Sequence, residues 1–121
     1  MMVHEIIAEL AEALQTKILN FQMDVYGCQG MFTFETCEED EYGNKKTYEG
    51  CVDEDRAIEI ARERLESYPE DVLGLKGIAL KYFNTESFVD DAIRYDGWQS
   101  ELCVYDGTNE ETKNGIVYWR T

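Results

Sequence analysis

The stretch ILNFQMDVYGCQGMFTFETCEEDEYGNKKTYEGCV, Ile18 to Val52, is the one whose periodicity decides the fold. From Leu19 the apolar period is two. Leu19, Phe21, Met23 and Val25 alternate with Asn20, Gln22 and Asp24, which predicts a half-buried strand. Gly27 and Gly30 frame a turn, and MFTFETC (31–37) follows as a second β-rich run. Four acids in a row, Glu38, Glu39, Asp40 and Glu41, lead into a turn with Gly43-Asn44 at its tip. KTYEGC (46–51) then returns as a shorter third strand, so residues 18–52 are expected to form an antiparallel meander.

On either side the period changes. Val3, Ile6, Ile7, Leu10 and Leu14 repeat at helical spacing within residues 3–17, with Glu5, Glu9 and Glu12 together on the opposite face. Asp53 is a good N-cap, and Glu54 and Asp55 suit the positive end of a helix whose apolar positions are Ile58, Ala61, Leu65 and Tyr68. Pro69 is expected to stop it. A second helix is expected from Glu70 to Phe83, weakened by Gly74 and Gly77 at about 1 kcal/mol each relative to alanine. Asn84-Thr85 caps a third, ESFVDDAIRY (86–95), which Asp96-Gly97 ends.

WQSELCVY (98–105) alternates again, as does IVYWRT (116–121). The reading is two strands joined by a polar loop from Asp106 to Asn114, a C-terminal β hairpin. The expected fold is therefore α+β in a single domain, 1–121. It has an N-terminal helix, an antiparallel β meander, two to three helices and the terminal hairpin, with one antiparallel sheet covered on one face by helices.

Length and composition agree with a folded chain. At 121 residues it can bury a core without disulfides or metal, and eight Tyr, five Phe and two Trp are far from the composition of a disordered acidic tail. Charge is the loudest feature: 26 Asp+Glu against 11 Lys+Arg, a formal net charge of −15. Residues 1–60 hold 14 of the acids and residues 61–121 the other 12, so the excess is spread over the fold and is not a tail. Direct binding to nucleic acid or to an anionic membrane is disfavoured, because both depend on lysine and arginine meeting phosphates. No apolar run is long enough for a membrane span. A protein whose own groove is basic and built for DNA is a suitable partner.

Chemistry-bearing patterns are scarce. The only histidine is His4, and Ser67, Ser87 and Ser100 sit in no nucleophile elbow, so an enzyme is not expected. Cys28, Cys37, Cys51 and Cys103 are 9, 14 and 52 residues apart, which is not zinc-ligand spacing. They read as reduced, mostly buried core thiols. The chain opens on an amphipathic helix rather than a leader, and the expectation is a cytoplasmic protein. The run 38–41 does not follow the calcium-loop pattern, and Asp90 and Asp91 point about 100° apart on a helix, so no metal is expected. There is no phosphate-binding glycine motif, and no cofactor is expected. Trp98, Tyr105, Tyr118 and Trp119 lack basic neighbours and read as packing rather than base stacking.

What remains is the distribution of acids. Duplex DNA carries one negative charge per roughly 1.7 Å of axis, and a folded protein can approximate such a row with carboxylates on helix faces and hairpin tips. Glu5/Glu9/Glu12, Glu38–Glu41 and Asp53–Asp55 form one collection; Asp90, Asp91, Asp96, Asp106, Glu110 and Glu111 form another. The alternative for each group is an ordinary solvated face.

Residues 64–94, RLESYPEDVLGLKGIALKYFNTESFVDDAIR, about a quarter of the chain, resemble a segment of Ard-type antirestriction proteins. Tyr82, Phe83, Glu86, Phe88 and Asp90 carry the likeness, while the cysteine-bearing meander departs from it. Anti-CRISPR proteins share the small, acidic, α+β character but no motif. Both resemblances imply a stoichiometric inhibitor of a bacterial defence nuclease, a CRISPR effector or restriction enzyme. It would act in the host cytoplasm as a DNA mimic or groove blocker, as a monomer or homodimer. The alternative reading is an acidic immunity or adaptor protein that neutralises a basic toxin or binds a host regulator.

Overall fold

A computed structural model describes residues 2–121. Helix α1 spans Val3–Leu14 and stops where Gln15 takes up a left-handed conformation, φ 53°. The meander follows as strands β1 (Ile18–Met23), β2 (Met31–Glu39) and β3 (Lys45–Cys51), paired antiparallel in that order. Its hairpin turns where the sequence places it. Gly43 has φ +81°, its N–H donates to Asp40 O, and Asp40 N–H donates to Asn44 O across the tip. Helix α2 (Glu54–Glu66) starts at the expected cap, with Asp53 Oδ1 accepting from Arg56 N–H at 2.7 Å.

Three expectations fail beyond that point, the first for a local reason and the other two through contacts between distant residues. The long helix over 70–83 does not form. Pro69 lies in the first turn of a short helix α3 (Tyr68–Asp71), where its missing N–H costs nothing. Gly74 and Gly77 then adopt φ +68° and +58°, so the chain unwinds and restarts as α4 (Gly77–Tyr82). Helix α5 (Thr85–Asp96) matches its prediction, with Asn84 Oδ1 accepting from Ser87 N–H and Gly97 at φ +78° closing it.

The run 98–105 is not a strand but a helix, α6 (Trp98–Leu102). Trp98 and Leu102 satisfy an i, i+4 pattern as well as an alternating one, and both are buried. The Trp98 ring lies edge-on to Trp119 at 5.5 Å. The terminal hairpin therefore pairs other residues: β4 is Glu110–Glu111, joined through a turn at Gly115 to β5 (Val117–Arg120). β5 also pairs with β3, giving a five-stranded antiparallel sheet in the order β1-β2-β3-β5-β4.

Helices cover both faces of this sheet, not one. Successive strand residues point to opposite sides. On one side Phe32, Phe34, Tyr48 and Tyr118 meet Ile6 and Leu10 of α1. Aromatic rings run across this face, Phe21–Phe32 at 5.2 Å and Phe34–Tyr48 stacked at 5.0 Å. On the other side Met31, Cys51, Val117 and Trp119 meet Ala57, Ile60 and Ala61 of α2 with Trp98 and Leu102 of α6. The aromatic residues read as packing do pack, except Tyr105, which is exposed beneath the Arg120 guanidinium at 4.9 Å. Cys51 and Cys103 are buried, and burial pushes both thiols up to about 12; Cys28 is half-buried and Cys37 exposed.

Candidate functional site: the acidic surface

The hairpin tip carries Glu38, Glu39, Asp40 and Glu41 with unequal freedom. Lys46 Nζ lies 3.3 Å from Glu38 Oε2, and Lys45 stands opposite Glu39 in the strand register. Asp40 is only half-exposed, because its Oδ1 accepts from Tyr42 N–H at 2.9 Å and Asn44 N–H at 3.0 Å. It builds the turn. Glu41 is exposed.

Asp53, Glu54 and Asp55 sit at the far end of β3. Seven residues of strand separate them from the tip, roughly 20 Å at about 3.3 Å per residue. The two groups are therefore not contiguous. The sheet instead brings Asp53–Asp55 toward Glu110 and Glu111: Glu111 pairs with Val117, which pairs with Cys51. That places β4 two strand spacings, about 10 Å, from the end of β3. At this end Asp53 caps its helix while Glu54, Asp55, Glu110 and Glu111 are exposed.

On α5, Asp90 Oδ1 receives Arg62 Nη2 at 2.5 Å, an exposed pair that contributes about 0–1 kcal/mol, while Asp91 and Asp96 are exposed. Asp106 accepts from the N–H and hydroxyl of Thr108, and those bonds hold its carboxyl below the usual carboxylate range. Among the described residues, no Lys or Arg nitrogen lies within 4.0 Å of Glu39, Glu41, Glu54, Asp55, Asp91, Asp96, Glu110 or Glu111.

The acid row expected on the first helix does not exist as such. Glu9 is 8% exposed and accepts from Thr112 Oγ1 and Asn114 Nδ2, and Thr112 Oγ1 in turn accepts from Ile116 N–H at 3.1 Å. This carboxylate ties α1 to the β4–β5 turn. Its near neighbour Glu12 pairs with Lys113 at 3.4 Å. Replacing Glu9 with alanine leaves the buried Thr112 hydroxyl without its acceptor, while the exposed Asn114 amide can turn to water, and is expected to destabilise the fold by about 1–2 kcal/mol. Glu9→Gln, which keeps one acceptor, should fall between. Urea unfolding measures both, and a loss under about 0.5 kcal/mol for Glu9→Ala would remove the tie.

Grouping acids by runs along the chain missed Glu35 and Glu49. Both lie on the sheet face of Met31 and Cys51, beyond the part that α2 and α6 cover. With Asn20, Gln22, Thr33 and Thr47 and the aromatic Tyr26, Phe34 and Tyr48 they line a cleft of about 410 Å³. Asn20 Nδ2 donates to Glu35 Oε2 at 3.2 Å, and the charge of Glu49 raises the phenol pKa of Tyr26. The signal was available: polar residues at every second position, Thr33-Glu35 and Thr47-Glu49, mark a bare sheet face.

The segment 64–94 is divided between elements. Tyr82 is exposed at the end of α4, Phe83 meets Phe88 at 5.7 Å, Glu86 is exposed in the first turn of α5, and Asp90 holds Arg62. Among the described residues no three His, Cys, Asp or Glu side chains converge as a metal site, and no helix is long and apolar enough to cross a membrane. Comparison with protein families, curated proteins and solved structures finds no match to this chain.

Proposed function

We propose that the protein is a stoichiometric inhibitor of a bacterial defence nuclease, a CRISPR effector or restriction enzyme. It occupies the basic groove in which that enzyme holds DNA. The supporting observation is the set of eight exposed carboxylates with no Lys or Arg nitrogen within 4.0 Å among the described residues, distributed over the hairpin tip, α2, α5 and the β4 edge. Anions held on a rigid sheet and its helices need no reorganisation to meet a row of Lys and Arg. Glu54, Asp55, Glu110 and Glu111 share one end of the sheet, and the acids of the hairpin tip, beside Lys45 and Lys46, stand at the other.

The test is affinity capture from a lysate containing restriction and CRISPR effectors, followed by titration of the purified partner with and without DNA. Affinity should fall at least about tenfold as ionic strength rises from roughly 0.05 M to 0.5 M, since screening acts on charges at this exposure. DNA should compete. A partner bound with equal affinity at both ionic strengths ends the groove-blocking mechanism, and capture of a basic toxin in place of a nuclease favours the immunity reading.

A further inference from the structure

Residues 72–85, VLGLKGIALKYFNT, are the longest stretch of the chain without an acid, and they carry Lys76 and Lys81. Within a protein of net charge −15 this segment is locally cationic. It is also apolar and uncovered. Val72 is 62% exposed, Ile78 75% and Tyr82 76%, and no residue of α4 is buried. Lys81 Nζ stands 5.8 Å from the Tyr82 ring, so charge and aromatic surface coincide. Large apolar side chains clustered on an otherwise charged surface mark a site of association. Their complement is an apolar pocket rimmed with carboxylates.

The same molecule holds a pocket that joins an apolar wall to a polar, acidic one. A cavity of about 270 Å³ lies between α2, α3, α5 and α6, with Leu65, Tyr68, Phe88 and Ala92 on one side and Asp96, Ser100 and Glu101 on the other. Its volume falls below the roughly 300–1,000 Å³ of small-molecule sites and suits a side chain. Patch and pocket are neighbours: Phe83, next to α4, packs on Phe88 of the pocket wall, and Phe88 stacks on Tyr68 at 5.4 Å.

We propose that two copies of this chain associate about a twofold axis, each inserting Ile78 or Tyr82 of α4 into the Tyr68/Phe88 pocket of the other, with Lys81 facing Asp96 and Glu101. Two adjacent and mutually complementary surfaces meet the requirement of a closed isologous contact. Glu101 is half-buried, and burial raises its pKa against the opposing pull of Arg64. An incoming ammonium relieves that cost. The salt dependence has the opposite sign to that of groove binding. Two bodies of charge −15 repel at long range, so screening should strengthen the dimer while the apolar contact persists.

Sedimentation equilibrium of the full chain over a range of concentrations tests this at low and at near-physiological salt. A concentration-dependent dimer, tighter at the higher salt, is expected. Ile78→Asp or Tyr82→Asp should weaken it at least about tenfold, a hot-spot effect at exposed positions that leave the fold intact. Tyr42→Asp, at a residue 81% exposed on the hairpin tip, should leave it unchanged. Lys81→Glu and Glu101→Lys should each weaken it, and the double variant should recover most of the loss. Monomer at every concentration and salt, larger open assemblies, a dimer indifferent to Ile78→Asp and Tyr82→Asp, or a charge swap that fails to recover would each overturn the proposal. It does not depend on the inhibitor reading: a monomeric Tyr82→Asp variant that still binds the nuclease separates the two.

Discussion

Reversing Glu110 and Glu111 to lysine is expected to weaken binding to the basic partner by about 100-fold, or roughly 2.7 kcal/mol. Both side chains are exposed on β4, the edge of the sheet, and neither has a cation within 4.0 Å among the described residues. Lysine guards a sheet edge as well as glutamate does, so the fold should tolerate the change. The effect should appear in the association rate at low salt and shrink as salt is added. At the hairpin tip, Glu39→Lys with Glu41→Lys should act in the same direction and less strongly, because Lys45 and Lys46 already offset that end. Asp91→Lys also belongs to this set. Asp90 is a poorer probe, since its reversal places a cation against Arg62. Glu66→Lys with Glu70→Lys, both exposed and without a Lys or Arg nitrogen within 4.0 Å among the described residues, changes the total charge as much as the β4 pair and serves as the comparison. Equal losses from both pairs would mean that net charge alone drives binding and would remove the site assignment.

Gly50→Ala is expected to destabilise the fold by about 3 kcal/mol or more, the upper end of the range for overpacking. Gly50 lies in β3 opposite Phe32 and Tyr118. A Cβ there would stand 2.5 Å from two atoms of the Phe32 ring and 2.5 Å from the carbonyl oxygen of Val117. Phe32 is fully buried between Phe21 and Phe34, so its ring has nowhere to go. The Val117 carbonyl belongs to the β3–β5 ladder and cannot move without breaking it. Gly43→Ala provides the contrast: nothing lies within 4 Å of its Cβ, and only its positive φ resists, at about 1 kcal/mol. Guanidinium denaturation of the two variants decides the matter. A Gly50→Ala variant no less stable than Gly43→Ala would contradict the register of β2, β3 and β5.

The two cases show where the sequence was legible. The tip and the start of α2 were readable because short-range chemistry fixes them: Gly43-Asn44 needs a turn, and Asp53 is held by its own helix N–H groups. The constraint at Gly50 was not readable, since Phe32 and Val117 reach it only when three strands pair. Glu9 was assigned to a solvated helix face, because its partners Thr112 and Asn114 lie over a hundred residues away in the chain. Trp98–Leu102 could be written with either period, and packing on Trp119 and α2 chose the helix.

By itself, then, the sequence determined the α+β class, the meander and its turns, the caps of α2 and α5, and a charge of −15 spread over a folded chain. All of these follow from periodicity, local hydrogen bonding or composition, which act within a few residues. Only the tertiary structure decided that helices cover both faces of the sheet and that β5 lies between β3 and β4. It also decided which acids stand free: Asp53–Asp55 toward Glu110–Glu111, away from the tip, with Glu9 withdrawn into the fold. Those outcomes depend on contacts between distant residues, where burial and pairing override what each segment would do alone.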